Sequence, residues 1–307
     1  MVFLSENEKY INPFTDYGFK RLFGEEPNKE LLIDFLNELL RDEQGEIVEL
    51  TYLNSEQLGR SKEDRKSLFD IYCTNEKGDK FIVELQKTKQ KFFKDRTLYY
   101  STFPIVQQAN RGSNWNFELR PVYTIAILDF AFDDEEDDVA NKYRYDVKLI
   151  EKETQQVFYD KYTFIYLSMP KFTKKLEELE THFEKWLYAF KHLSELKAIP
   201  DALREEIFVK FFDAAEVAHL NPDEYITYEA SLKAYWDRKS ELSTTLEEGF
   251  EKGREEGREE GIEIGIEKGS NAKALEIAKN LKQTGLDASA IAQITGLPLE
   301  AIEKLYE

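Results

Sequence analysis

The sequence predicts an α/β or α+β fold with a helical extension, on three observations. Short segments with strand character lie in the first half and alternate with amphipathic helices. From Thr173 to about Thr245 the apolar pattern is helical. Beyond it, Gly249, Gly253, Gly257, Gly261, Gly265 and Gly269 recur at every fourth residue, with Glu, Lys and Arg between them.

Taken in order, Pro13 breaks the chain, Thr15 or Asp16 supplies a helix cap, and Phe19, Leu22 and Phe23 follow at helical spacing. Leu31, Leu32, Phe35, Leu36, Leu39 and Leu40 make one face of a second helix, and Ile47–Asn54 reads as a strand. Leu68–Thr74 and Lys80–Gln86 flank the turn-forming Asn75–Asp79 and read as a hairpin. Residues 92–110 suit a helix that Pro104 would kink or interrupt. Pro121–Phe130 is apolar on both faces, as a central strand is, and further strands fall near Arg144–Ile150 and Tyr162–Leu167. Trp186, Phe190 and Leu193 form one helical stripe, Ile207, Phe208, Phe211 and Phe212 another, and Asn221-Pro222 marks a break.

With 307 residues there is room for two ordinary domains, or for one with appendages. The 22 Phe and 17 Tyr supply a large core, which excludes a disordered chain. No apolar run approaches the roughly 18 residues of a membrane span, and the N-terminus lacks the basic start and apolar stretch of a signal peptide. The single cysteine, Cys73, excludes an intrachain disulfide and reads as a core residue. Three histidines and one cysteine cannot build an ordinary structural zinc site, and His182 and His192 read as structural. The expectation is a soluble, cytoplasmic, acidic protein.

A net charge of −19 disfavours indiscriminate nucleic-acid binding, yet the charge is clustered. Asp129–Asp138 holds seven acids and no base, whereas Lys87–Arg96 holds five bases and only Asp95 against them. A local basic face therefore stays available. No phosphate-cradling glycine loop, nucleophilic triad order or dinucleotide fingerprint is present, so no nucleotide cofactor is expected.

The hairpin carries the chemistry. A five-residue loop over 75–79 pairs Thr74 with Lys80 and sets Asp70 across from Glu84, with Glu84 and Gln86 on one face. Like charges opposite one another destabilise a sheet unless one protonates or a cation lies between them. A hard divalent cation holding carboxylate oxygens fits Mg²⁺. The plain alternative is a pair of solvent-facing acids on a half-exposed hairpin.

Asp70, the turn and Val83-Glu84-Leu85-Gln86 together resemble the PD-(D/E)XK nuclease superfamily. More narrowly, the chain resembles the Rpn family of recombination-promoting nucleases and transposases. The resemblance is carried by Asn12-Pro13-Phe14-Thr15-Asp16-Tyr17-Gly18-Phe19-Lys20-Arg21-Leu22-Phe23, by Glu84-Leu85-Gln86-Lys87, by Phe92–Tyr100 and by the glycine-repeat tail. It implies a restriction-endonuclease-like mixed β-sheet flanked by helices, and a Mg²⁺-dependent DNA endonuclease (Mn²⁺ can substitute) acting in recombination, mobile-element biology or defence. In that reading Asp70, Glu84 and Asp16 hold the metal, with the Leu85 carbonyl as a further ligand.

The sequence departs from the superfamily pattern at Gln86, where a lysine is expected. Glutamine can orient water but carries no charge, which leaves the cationic role to Lys87, Lys89 or Arg96. Lys87 points to the opposite face if the strand continues, and Arg96 and Tyr99 can face the site together at i, i+3. Lys20, Lys89 and Lys91 are expected phosphate contacts with DNA. Asp70, Glu84, Gln86, Asp16 and Arg96 form the expected catalytic set.

The expected organisation is a nuclease core over 1–170, a helical extension packed on it over 171–245, a glycine-every-fourth polar helix or tether over 246–270, and a helix-turn-helix-like module over 271–307. Glycine at every fourth residue makes a stripe drifting about 40° per step, suited to close helix packing, and each glycine costs about 1 kcal/mol relative to alanine. Homo-oligomerisation through this tail is the expectation, a flexible tether the alternative. Lys273, Lys279, Lys282 and Lys304 are outnumbered by five acids in the last module, so assembly competes there with DNA binding. The second functional reading is a non-catalytic oligomeric assembly or DNA-binding protein that keeps the nuclease fold.

Overall fold

Asn12 to Thr15 fold into a turn that starts the first helix. The Asn12 carbonyl accepts hydrogen bonds from the Thr15 amide at 3.2 Å and hydroxyl at 2.7 Å, and the Asn12 side chain accepts from the Phe14 amide at 2.9 Å. Thr15 Oγ1 then caps helix α1 (Asp16–Phe23) by accepting from the Gly18 amide. A Cβ at Gly18 would lie 2.2 Å from the Asn12 carbonyl oxygen, so only glycine lets helix and turn close on each other. Helix α2 (Lys29–Gln44) buries the face predicted from Leu31 to Leu40.

The computed structural model describes residues 8–54, 56–57, 67–109, 116–132 and 142–305. Asp133 to Asp138, most of the acidic run, lies outside them. Strand β1 (Leu50–Tyr52) is shorter than the 47–54 expected. Strands β2 (Glu56–Gln57) and β3 (Ser67–Leu68) form a small ladder of their own. The main sheet continues with β4 (Ile71–Asn75) and β5 (Lys80–Gln86), then helix α3 (Phe93–Gln107), which runs through Pro104 without a break. It closes with β6 (Val122–Leu128), β7 (Arg144–Ile150) and β8 (Val157–Ser168).

Strand order is β1-β4-β5-β6-β8-β7. The outer pairs are antiparallel, whereas β5, β6 and β8 run parallel, with α3 as the crossover between β5 and β6. This is a restriction-endonuclease-like mixed sheet flanked by helices. The β4–β5 register is the one expected, from Thr74↔Lys80 to Ile71↔Val83. It stops there, however. Asp70 sits in a bend just before β4, so it is not ladder-paired with Glu84, and its carboxylate instead takes the Leu85 amide at 2.8 Å.

Side-chain alternation divides the sheet. Phe81, Val83, Leu85, Tyr123, Ile125, Ile127, Ile165 and Leu167 face the larger core. That core is filled by α1, α2, helix α4 (His182–His192), helix α5 (Glu206–Ala214) and the start of helix α6 (Pro222–Gln283), with Trp186, Phe208 and Phe211 in edge and tilted ring contacts. Val122, Ala126, Leu128, Phe164 and Tyr166 face the α3 side. Glu84 and Gln86 occupy even positions in β5 and therefore also face α3, at the end of the sheet where Gln86, Leu128 and Ser168 line up. The carboxyl edge of parallel strands is where open α/β sheets place their ligand sites.

Asn221 caps α6 by accepting from the Asp223 and Glu224 amides, as the expected break there required. The helix then runs 62 residues to Gln283, through the whole glycine repeat, with no interruption at 245 or 270. The chain divides into two compact units, Met1–Lys239 and Ser240–Glu307, and the division falls inside α6. In the second unit, helices α7 (Ala288–Thr295) and α8 (Leu299–Glu303) join the end of α6 around Ala278, Ile291 and Ile302. Among the described residues no helix is long and apolar enough to cross a membrane.

Candidate active site

Where β5 ends, Asp16, Asp70, Glu84, Gln86 and Arg96 line one cleft of about 320 Å³. Each arrives for a local reason. Asp16 is the first residue of α1, fixed by the Thr15 cap. Asp70 is held by the Leu85 amide. Glu84 and Gln86 project together because they are two apart on one strand, and the Gln86 amide donates to Glu84 Oε2 at 3.2 Å. Arg96 comes from the first turns of α3, which covers this face.

Glu84 is the unusual group. It is 4% exposed, and its Oε1 is buried with no hydrogen-bond partner among the described residues. Burial first, and the neighbouring Asp70 charge second, push its carboxyl up to about 7, against a smaller opposing pull from Arg96. Asp70 is likewise raised, mainly by burial, while the Leu85 amide and the Lys20 and Lys87 charges work the other way. Arg96 donates to Gln90 Oε1 at 2.8 Å, lies over the Tyr100 ring at 5.2 Å, and keeps its Nε buried and unpartnered. A buried carboxylate oxygen and a buried guanidinium N–H, both unpaired at one cleft, are groups waiting for a third party.

The donor set suits a divalent cation. Glu84 and Asp70 both have their carboxyls raised by desolvation, and the Asp70 charge adds to the rise at Glu84. Positive charge between them would relieve both, and their oxygens are the ligands a hard cation takes. Asp16 is less committed. Its side chain is 69% exposed and its Oδ1 receives Lys87 Nζ at 2.6 Å. No three acidic groups of the cleft bring their oxygens within 4.8 Å of one another. The described trio that does is Asp213, Glu216 and His219, a largely exposed group on the surface.

Two expectations change. Lys87 does not turn to the opposite face: β5 stops at Gln86, strand alternation ends with it, and the ammonium reaches into the cleft toward Asp16. Tyr99 does not join Arg96. It is 54% exposed and packs on Tyr100 and Phe103 along its own helix. Lys89 and Lys91 line a second cleft of about 330 Å³ with Phe92, Phe130 and Phe132, and Gln90 lines both clefts. Lys20 is exposed on α1, close enough for its charge to act on Asp70.

The sequence offered no pointer to Ala234 and Arg238, which bring α6 to the same cleft. A larger cleft of about 570 Å³ elsewhere in this unit already has its charges matched, Arg21 to Glu25 and Glu224, and Lys210 to Glu30 and Glu206. Cys73 is buried, its thiol pushed up to about 12 by burial, as befits a core residue. His182 bridges Asp34 and Glu205, and His192 pairs with Glu195.

No curated protein and no solved structure matches the chain. The family described as PD-(D/E)XK nuclease family transposase matches residues 13–245, which takes in the whole sheet, the cleft and the start of α6. With most of its length matched, and with a mixed sheet carrying paired acids at the end of β5, the chain belongs to the PD-(D/E)XK nuclease family transposases.

Proposed function

We propose that the protein is a Mg²⁺-dependent DNA endonuclease of the recombination-associated type, with its active centre in the cleft at the end of β5. The observation that carries this reading is the buried, unpartnered Glu84 Oε1 beside Asp70. Glu84 and Asp70 would hold the cation, with Asp16, here paired with Lys87, as the further carboxylate of the site. When bound, a divalent cation supplies Lewis-acid charge at the phosphate and lowers the pKa of water. Gln86, tied to Glu84, orients the attacking water by hydrogen bonding and transfers no proton itself. Arg96 faces the developing negative charge with its unpartnered N–H. Lys20, Lys89 and Lys91 hold flanking phosphates of the DNA.

The test is supercoiled plasmid with Mg²⁺, wild type beside Asp70→Ala and Glu84→Ala. Nicking by wild type that falls about 100-fold or more in both variants, and stops with EDTA, supports the assignment. Equal cleavage by all three proteins sinks it.

A second reading concerns the tail. At all six repeat glycines a Cβ would meet nothing within 4 Å, so no packing among the described residues accounts for them. This supports homo-oligomerisation through the 249–269 segment, with or without catalysis in the first unit.

A further inference from the structure

The superfamily lysine is replaced by Gln86, so the cleft must find its mobile positive charge elsewhere. Two of its cations already have partners. Lys87 Nζ is bound to Asp16 at 2.6 Å, and Arg96 binds Gln90 Oε1 and the Tyr100 ring, with only its Nε left unpartnered. Arg238 differs: it lines the same cleft, is exposed, and has no hydrogen-bond or ion-pair partner among the described residues.

Its position is enforced by the inner face of α6. Tyr228, Leu232 and Tyr235 are buried at helical spacing. The Tyr228 hydroxyl accepts from the Asn12 amide at 2.8 Å, and Ser231 Oγ accepts from the Tyr17 amide at 3.1 Å. Glu224 pairs with Arg21 at 2.7 Å. Tyr235 donates to Asp129 Oδ2 at 3.0 Å, and the Asp129 amide donates to the Gln86 carbonyl at 2.9 Å. Helix and strand end are thus joined through one residue. Ala234 and Arg238, four apart, lie about 40° apart around the helix and share the face turned to the cleft.

Resting on the nuclease reading above, we infer that Arg238 of α6 is a phosphate-contacting cation of this cleft, adding beside Arg96 the charge that Gln86 does not supply. A guanidinium presents a planar fork that binds two phosphate oxygens at once, and it stays charged at every working pH. The cation binds the phosphate backbone without reading sequence, and the Asp129–Tyr235 bond sets its reach.

The experiment compares wild type, Arg238→Ala and Arg238→Lys in two measurements. One is the cleavage rate of a plasmid at saturating protein with Mg²⁺. The other is affinity for a fluorescent duplex at several salt concentrations, with Ca²⁺ as the oxygen-seeking cation. Arg238→Ala should cut about tenfold or more slowly and lose about one unit of salt slope, with Arg238→Lys recovering part of both. An exposed side chain can be removed without unfolding, and an unchanged thermal midpoint verifies this. Equal rates and equal slopes in wild type and Arg238→Ala overturn the inference and leave the nuclease standing. Wild type that binds duplex but never cuts overturns the nuclease reading, and the salt slope still decides Arg238. Wild type that does not bind duplex overturns both.

Discussion

Glu84 illustrates how burial and a like charge act on one side chain. Its carboxyl rises to about 7 in the folded, cation-free protein because ionising it there costs desolvation and repulsion from Asp70. The sign follows. A raised folded-state value means stability is full below the ordinary carboxylate value near 4.5 and is lost as pH rises through about 7. Cation-free protein should therefore melt lower at pH 8 than at pH 5, and Glu84→Gln should flatten that trend, as read by thermal unfolding in EDTA. A wild-type slope no steeper than that of the variant would show that the Glu84 carboxyl is not raised in the folded protein. Gly18 is the second residue with a sharp consequence. A methyl there meets the Asn12 carbonyl at 2.2 Å, so Gly18→Ala should destabilise the protein by about 2–4 kcal/mol in denaturant unfolding. The Asn12–Lys20 motif thus serves to build the turn that presents Asp16.

At the level of elements, α6 links the end of β6 to the cleft. Removing one hydroxyl, Tyr235→Phe, unties Asp129 and frees Arg238 to wander. Cleavage should fall about tenfold, since small misplacements of a charged group at a reacting phosphate are costly. In the Arg238→Ala background the same change should add little, because both act through one group. Full additivity in that double-mutant cycle would separate the two residues. The glycine stretch of α6 gives an opposite pair of expectations. Replacing Gly257 and Gly261 by alanine should raise helix stability by about 1 kcal/mol each if the helix stands alone. If the stripe packs against a second copy, the same substitutions should lower the mass seen in light scattering.

For the whole molecule, the division inside α6 separates the cleft from the tail. Every cleft-lining residue falls in Met1–Lys239, whereas the glycine repeat falls in Ser240–Glu307. A chain ending at Lys239 should keep metal-dependent nicking per subunit and, if the tail assembles the protein, fall to the mass of a single subunit. Unchanged mass would remove the tail from assembly.

Much of this was legible in the sequence. The apolar faces from Leu31 to Leu40 and from Val122 to Leu128, and the turn at Asn75–Asp79, are set by spacing and turn chemistry, and the β4–β5 register follows from them. The same register placed Glu84 and Gln86 on one face, because strand alternation is local. Other features could not be read that way. Asp70 left the ladder to bind the Leu85 amide, Lys87 entered the cleft where its strand ended, and Tyr99 found ring partners on its own helix. Arg238 lies 154 positions from Glu84 in the chain. Only the packing of Tyr228, Leu232 and Tyr235 against the first unit's core brings it to the same cleft. Local periodicity fixes which face a side chain takes. Which faces meet is decided by burial and hydrogen bonds between distant elements, and that information exists only once the chain has folded.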